Sequence, residues 1–131
     1  MKIKIAVDAT PIISALIGGI SSNILFDRRF NFISTDYTIK EVRSHITLIS
    51  EKSGINEKKI MDALSLLPVK IYSKKDYKDK IENANKIIGK IDKKDAEILA
   101  LSLKENCLIW SEDKDFRNLK EVNLIRTKEL V

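Results

Sequence analysis

The chain has 131 residues, 44% of them hydrophobic and 33% charged, with a formal net charge of +5. That balance suits a single domain over residues 1–131 with one core, and it excludes a disordered tail, a fibrous repeat and a chain of two full domains. Lys70 to Lys94 holds nine lysines against four acids while the remainder is balanced, which reads either as a polyanion-attracting stretch or as a solvated, lysine-rich helix face.

The strand-like run Ile3-Lys4-Ile5-Ala6-Val7 comes first, bounded by Asp8 and Pro11. Pro11 is placed to open a helix running to Gly18-Gly19, and Ser21 or Ser22 to cap a short second helix through Leu25 and Phe26. Phe30 to Ile33 reads as the second strand. Thr35 or Asp36 then caps a longer helix with the apolar stripe Ile39, Val42, Ile46 and Ile49, broken at Gly54. Ile55 to Leu67 predicts another helix, and Val69 to Tyr72 a short strand. A lysine-rich helix follows, carrying Ile81, Ala84 and Ile88 and stopping at Gly89.

Asp95 to Leu103 is apolar around most of its circumference, which predicts a heavily buried helix. Cys107-Leu108-Ile109-Trp110 and Val122 to Ile125 read as the last two strands. Strands alternating with helices imply an α/β fold, a three-layer α/β/α sandwich on a parallel sheet. Cys107 is the only cysteine, so an internal disulfide and a multi-cysteine zinc site are excluded, and a packing role is expected. Asp8 interrupts the N-terminus before a signal-like apolar stretch forms, and no later run approaches the roughly 18 apolar residues of a membrane span. A soluble, cytoplasmic protein is the expectation.

The positions of certain acids carry the chemistry. Asp8 follows the first strand and Asp113 lies just past the strand ending at Trp110. In open parallel sheets ligands bind beyond the carboxyl ends of the strands, so these two acids can meet in space. Asp95 begins the buried helix, Asp92 lies one turn before it, and Glu41 sits beside the apolar stripe of its own helix. Taken singly, Asp8, Asp36 and Asp95 read equally well as helix caps, and Glu41 as a solvated helix acid. As a group they need a shared partner, since burying lone carboxylates is costly. Oxygen-only ligation suits Mg²⁺ or Mn²⁺, which activate water and stabilise charge on a phosphodiester.

Four stretches carry a resemblance. They are Val7-Asp8-Ala9-Thr10; Thr38-Ile39-Lys40-Glu41-Val42; Asp92-Lys93-Lys94-Asp95-Ala96-Glu97-Ile98-Leu99-Ala100-Leu101; and Ile109-Trp110-Ser111-Glu112-Asp113-Lys114-Asp115-Phe116. With these the chain resembles the PIN-domain family, which includes the VapC toxins of VapBC toxin–antitoxin pairs and free-standing members. The resemblance implies about five parallel strands and an acidic pocket of Asp8, Glu41, Asp95 and Asp113 that binds Mg²⁺ or Mn²⁺ and hydrolyses RNA. Asp8, Asp95 and Asp113 would be the metal ligands, with Glu41 a further ligand or the group orienting the attacking water. Asp92 and Asp115 would be supporting acids, and Thr10 and Ser111 hydroxyls that hydrogen-bond the acids or the bound water. An antitoxin protein and a homodimer built on Ile12, Ile13, Leu16, Ile17 and Ile20 are further implications.

Other readings meet specific obstacles. A haloacid-dehalogenase-type phosphatase needs a second acid where Thr10 stands, a receiver domain needs paired acids near the first strand, and Gly18-Gly19 is not a phosphate loop. A catalytically inactive PIN domain serving as a binding module would have lost core acids, and all four are present. His45 lies one turn beyond Glu41, but a lone histidine on a helix is first a surface or packing residue, so it is left out of the mechanism.

Overall fold

The computed structural model describes residues 2–88, 93–117 and 119–131. Five strands, β1 (Ile3–Val7), β2 (Phe30–Thr35), β3 (Val69–Tyr72), β4 (Leu108–Trp110) and β5 (Leu124–Ile125), form a wholly parallel sheet in the order β3-β2-β1-β4-β5. The chain winds outward from β1 through β2 to β3 and then crosses back to β4 on the other side of β1. The switch point of the sheet therefore lies between β1 and β4.

Strand alternation sends Ile5, Val7, Phe32 and Trp110 to one face. There they pack against α1 (Ala9–Leu16), α2 (Ile20–Leu25), α3 (Asp36–Ser44), α4 (Ile46–Ser53), α5 (Glu57–Leu66) and Leu130 of α9 (Thr127–Leu130). Ala6, Ile33 and Ile109 face the other way, onto α6 (Lys74–Tyr77), α7 (Ile81–Ile88) and α8 (Lys93–Glu105). This is the three-layer sandwich that the alternating pattern implies. Among the described residues no helix is long and apolar enough to cross a membrane.

Most elements fall where periodicity puts them, and the exceptions have local causes. The stripe Ile39, Val42, Ile46 and Ile49 is buried as expected, but the helix carrying it breaks at His45 into α3 and α4. The Glu41 carbonyl accepts from Ser44 Oγ at 2.6 Å and lies 2.8 Å from His45 Nδ1, while the His45 amide turns to the Val42 carbonyl. Side chains thus take the acceptor that the next helical hydrogen bond would use. The first helix starts at Ala9, capped by Asp8, so Pro11 sits at its third position, where a missing N–H is still harmless. Gly19, not a serine, caps α2, because a Cβ there would lie 2.5 Å from Ser14 Oγ, and Ser21 is buried inside the helix.

The lysine-rich helix is divided into α6, a 3-10 turn (Lys78–Lys80) and α7, with Tyr77 fully buried at the join. Its expected stop at Gly89 lies outside the described residues. Cys107 is half-buried, and burial pushes its thiol up to about 11, in keeping with a packing role. Trp110 is fully buried, tilted against Phe32, and donates its indole N–H to Thr127 Oγ1 at 3.0 Å.

Helix α8 fixes the middle of its layer, with Ala96, Ile98, Leu99, Ala100 and Leu101 at most 5% exposed. Leu101→Ala is expected to cost about 2–5 kcal/mol in urea denaturation, through lost burial and the cavity left behind. Lys104→Ala on the same helix removes an exposed 3.0 Å pair with Asp79 and should cost less than about 1 kcal/mol.

Candidate metal centre at the switch point

The adjacency of β1 and β4 brings the first pair of acids together. The Asp8 amide donates to the Trp110 carbonyl at 3.0 Å, extending the ladder one residue beyond the strands. Asp8 then caps α1, its Oδ1 accepting from the Ala9 amide at 2.8 Å. Cap and site are one residue here, since a helix N-terminus favours a carboxylate. Asp8 Oδ2 accepts from the Ser111 hydroxyl at 2.7 Å, and the same Ser111 Oγ accepts from the Asp113 amide at 3.0 Å. Ser111, fully buried, therefore cross-braces the two acids.

Asp113 caps the 3-10 turn Lys114–Phe116, its Oδ1 accepting from the Asp115 amide at 2.9 Å. Phe116, buried beneath this turn, anchors it to the core. Asp95 arrives from a different direction, in the first turn of α8 and not at its cap. It is wholly buried, and neither carboxylate oxygen has a hydrogen-bond partner among the described residues. Asp8, Asp95 and Asp113 each present an oxygen, and these atoms lie within 4.8 Å of one another.

The electrostatic consequence falls on Asp95. Burial, with the carboxylates of Asp113, Asp115 and Asp8 adding to it, pushes its pKa up to about 8. A buried, orphaned carboxylate between two others is a donor set suited to a hard divalent cation.

Glu41 stands outside this trio. With His45 and Thr10 it lines a cleft of about 120 Å³ whose other walls are Asp8, Ala9, Ile13 and Asp113. The structure thus brings Asp8, Asp95 and Asp113 together, sets Glu41 beside Asp8 and Asp113, and puts His45 in the same cleft. Of the two hydroxyls, Ser111 binds the acids directly, whereas Thr10 is an exposed part of the cleft wall. Asp115 supports Asp113 through its amide, and its own carboxyl lies against that of Asp95. Asp92 lies outside the described residues.

A second buried polar group went unremarked in the sequence. Glu97 is 2% exposed, with Lys74 Nζ 3.5 Å from Oε1 and no hydrogen-bond partner for Oε2 among the described residues. Nearby, the hydroxyl of buried Tyr77 donates to Asp36 Oδ1 at 3.3 Å; burial, with the Glu97 and Asp36 charges, raises its pKa. An acid on a helix that is apolar all round was the available signal for Glu97; Tyr77, inside a lysine-rich run, offered none.

A sequence profile of the PIN domain matches residues 6–127. In solved structures the chain is similar to PAE2754 from Pyrobaculum aerophilum, with a TM-score of 0.72 and 14% identity over 99% of this chain and 93% of that one. It is also similar to Mycobacterium tuberculosis VapC20, a sarcin–ricin loop cleaving toxin, with a TM-score of 0.60 and 16% identity over 91% of this chain and 98% of that one. At such identities these likenesses show the fold. No curated protein sequence matches the chain. With nearly its whole length matched by the profile, the chain belongs to the PIN-domain family.

Proposed function

We propose that this protein is a metal-dependent endoribonuclease that hydrolyses RNA phosphodiester bonds, with Asp8, Asp95 and Asp113 holding Mg²⁺ or Mn²⁺. The observation that carries the reading is the Asp95 carboxylate, buried with no neutral or cationic hydrogen-bond donor among the described residues, and surrounded by the carboxyl groups of Asp8, Asp113 and Asp115. Stability gives no reason for that arrangement, and a divalent cation gives one. Family membership supports nuclease chemistry, and the VapC20 likeness supports a toxin role with RNA as target and an antitoxin as partner.

When bound, such a cation neutralises phosphodiester charge and lowers the pKa of bound water. The chain supplies the rest. Ser111 keeps Asp8 and Asp113 in register, the Asp115 amide fixes the rotation of Asp113, and Glu41 orients the attacking water from across the cleft. For dimerisation, Ile12 and Leu16 are committed to the core, which leaves the half-buried Ile13 and the exposed Ile17 and Ile20 as the apolar contacts around α1 and α2.

The direct test is cleavage of a quenched fluorescent RNA with Mg²⁺, Mn²⁺ or EDTA. Asp8→Asn, Asp95→Asn and Asp113→Asn should each lose at least about a hundredfold, because several kcal/mol of charge stabilisation depend on the cation they hold. Cleavage that persists in EDTA, or in all three variants, would sink the proposal. Ser111→Ala should fold normally and weaken Mn²⁺ binding by about 10–100-fold in calorimetry, as loss of a hydrogen bond to a ligand does; unchanged affinity would remove Ser111 from the site.

The Asp95 proton gives a test independent of activity. Its folded value of about 8 lies above the ordinary 3.8. In EDTA, therefore, its contribution to stability is complete below about pH 4 and is lost as pH rises through about 8. The thermal midpoint of the wild type should fall further across this window than that of Asp95→Asn. Mn²⁺ should reverse the fall in the wild type and leave the variant unchanged. Parallel curves for the two proteins would contradict the assignment.

A further inference from the structure

The end of the sheet opposite the acids is built differently. In a parallel sheet covered on both faces the strands should be near-continuous apolar runs. Here Lys4 of β1, Asn31 of β2 and Lys70 of β3 interrupt that pattern. Register pairs Lys4 with Asn31 and Ile33 with Lys70, so the three share one face, that of α8. Helix α8 covers the centre of this face through Ala6 and Ile33, and a groove of about 720 Å³ wraps the amino ends of β1, β2 and β3, lined from this face by Lys4, Asn31 and Lys70 and from the other by Phe30, Phe32 and Val69.

The groove is basic. Lys2, Lys4, Arg28 and Lys70 line it against the single acid Asp27. Asp27 is already engaged by Arg29 at 2.7 Å, and Lys4 by Glu105 at 2.8 Å. Among the described residues, Lys2, Arg28 and Lys70 form no ion pair, although the Glu105 carboxylate that holds Lys4 also acts on Lys70. Aromatic surface is interleaved with these cations: Phe26 is 58% exposed, and Lys70 Nζ lies 5.0 Å from the centre of the Tyr72 ring. Cations that follow a backbone, beside rings on which bases stack, are what a single strand of nucleic acid requires.

The acid cluster itself repels a polyanion, so attraction must come from elsewhere on the protein. Among the described residues of the lysine-rich run beyond β3, one lysine is already engaged by an acid outside the run. Lys74 is drawn to the buried Glu97. Lys4 and Asp8 are four residues apart on one strand, about 13 Å at ~3.3 Å per residue. The basic groove and the acid cluster thus lie at opposite ends of the same strand.

We propose that the groove at the amino ends of β1, β2 and β3 is a second RNA-binding surface, which holds the phosphates of single-stranded RNA on Lys2, Arg28 and Lys70 and stacks a base on Phe26. The proposal rests on RNA being the substrate, but its test reads binding and not cleavage.

Anisotropy of labelled single-stranded RNAs of about 4 and about 16 nucleotides, the range of footprints of single-strand-binding folds, would be followed in EDTA over a salt series. The triple variant Lys2→Ala/Arg28→Ala/Lys70→Ala should bind the longer RNA at least tenfold more weakly. Its salt dependence should flatten by about 2 in log–log slope, three contacts at ~0.7 each. Phe26→Ala should weaken binding without changing that slope. A charge-matched control, Lys52→Ala/Lys58→Ala/Lys59→Ala on α4 and α5, should bind as the wild type does.

No binding by the wild type, an unaltered slope in the groove variant, or an equal loss in the control would overturn the inference. Wild type that binds the longer RNA through the groove yet cleaves none would leave this surface standing and remove the ribonuclease reading instead.

Discussion

Three carboxylates held within 4.8 Å of one another are the feature on which the rest of the structure depends. Two of them sit on the loops that leave adjacent parallel strands, and the third is pressed in from a helix of another layer. Their mutual repulsion and the desolvation of Asp95 oppose folding, and both act at the one place where three parts of the chain must meet. What resists them is apolar. Helix α8 cannot turn or slide to relieve Asp95, because Ala96, Ile98, Leu99, Ala100 and Leu101 are locked into the core beside it.

The site is thereby braced at its base. Asp8 and Asp113 are tied through one hydroxyl, and each has a backbone amide on a carboxylate oxygen. Glu41 and His45 stand on the α3–α4 break, where side-chain hydrogen bonds already divert the helix.

The parallel arrangement also polarises the molecule. Acids collect at the carboxyl ends of the strands, lysines and Arg28 at the amino ends, and α8 links the two. Asp95 stands in its first turn among the acids, while Glu105 in its last turn accepts from Lys4 Nζ at 2.8 Å and from the Tyr72 hydroxyl at 3.1 Å. One helix thus carries a carboxylate into the acidic end and ties down the basic end. An antiparallel sheet would mix strand starts and strand ends along each edge and offer no such separation.

Much of this was legible in the residues. Alternation of β-branched runs with amphipathic stretches determined the layers, and acids placed just after strands determined where the site would form, because both depend on local periodicity and on the direction of the chain. The four resembling stretches brought Asp8, Glu41, Asp95 and Asp113 forward together. Tertiary structure alone decided that Asp95 is sealed from water while Glu41 stays outside the trio, and that Ser111 joins two acids. It also decided that the helix of residues 36–53 breaks at His45, that Glu97 is buried, and that Lys4 and Lys70 open onto a common groove. These depend on which side chains from distant parts of the chain reach the same space, and neither spacing nor composition along one segment records that.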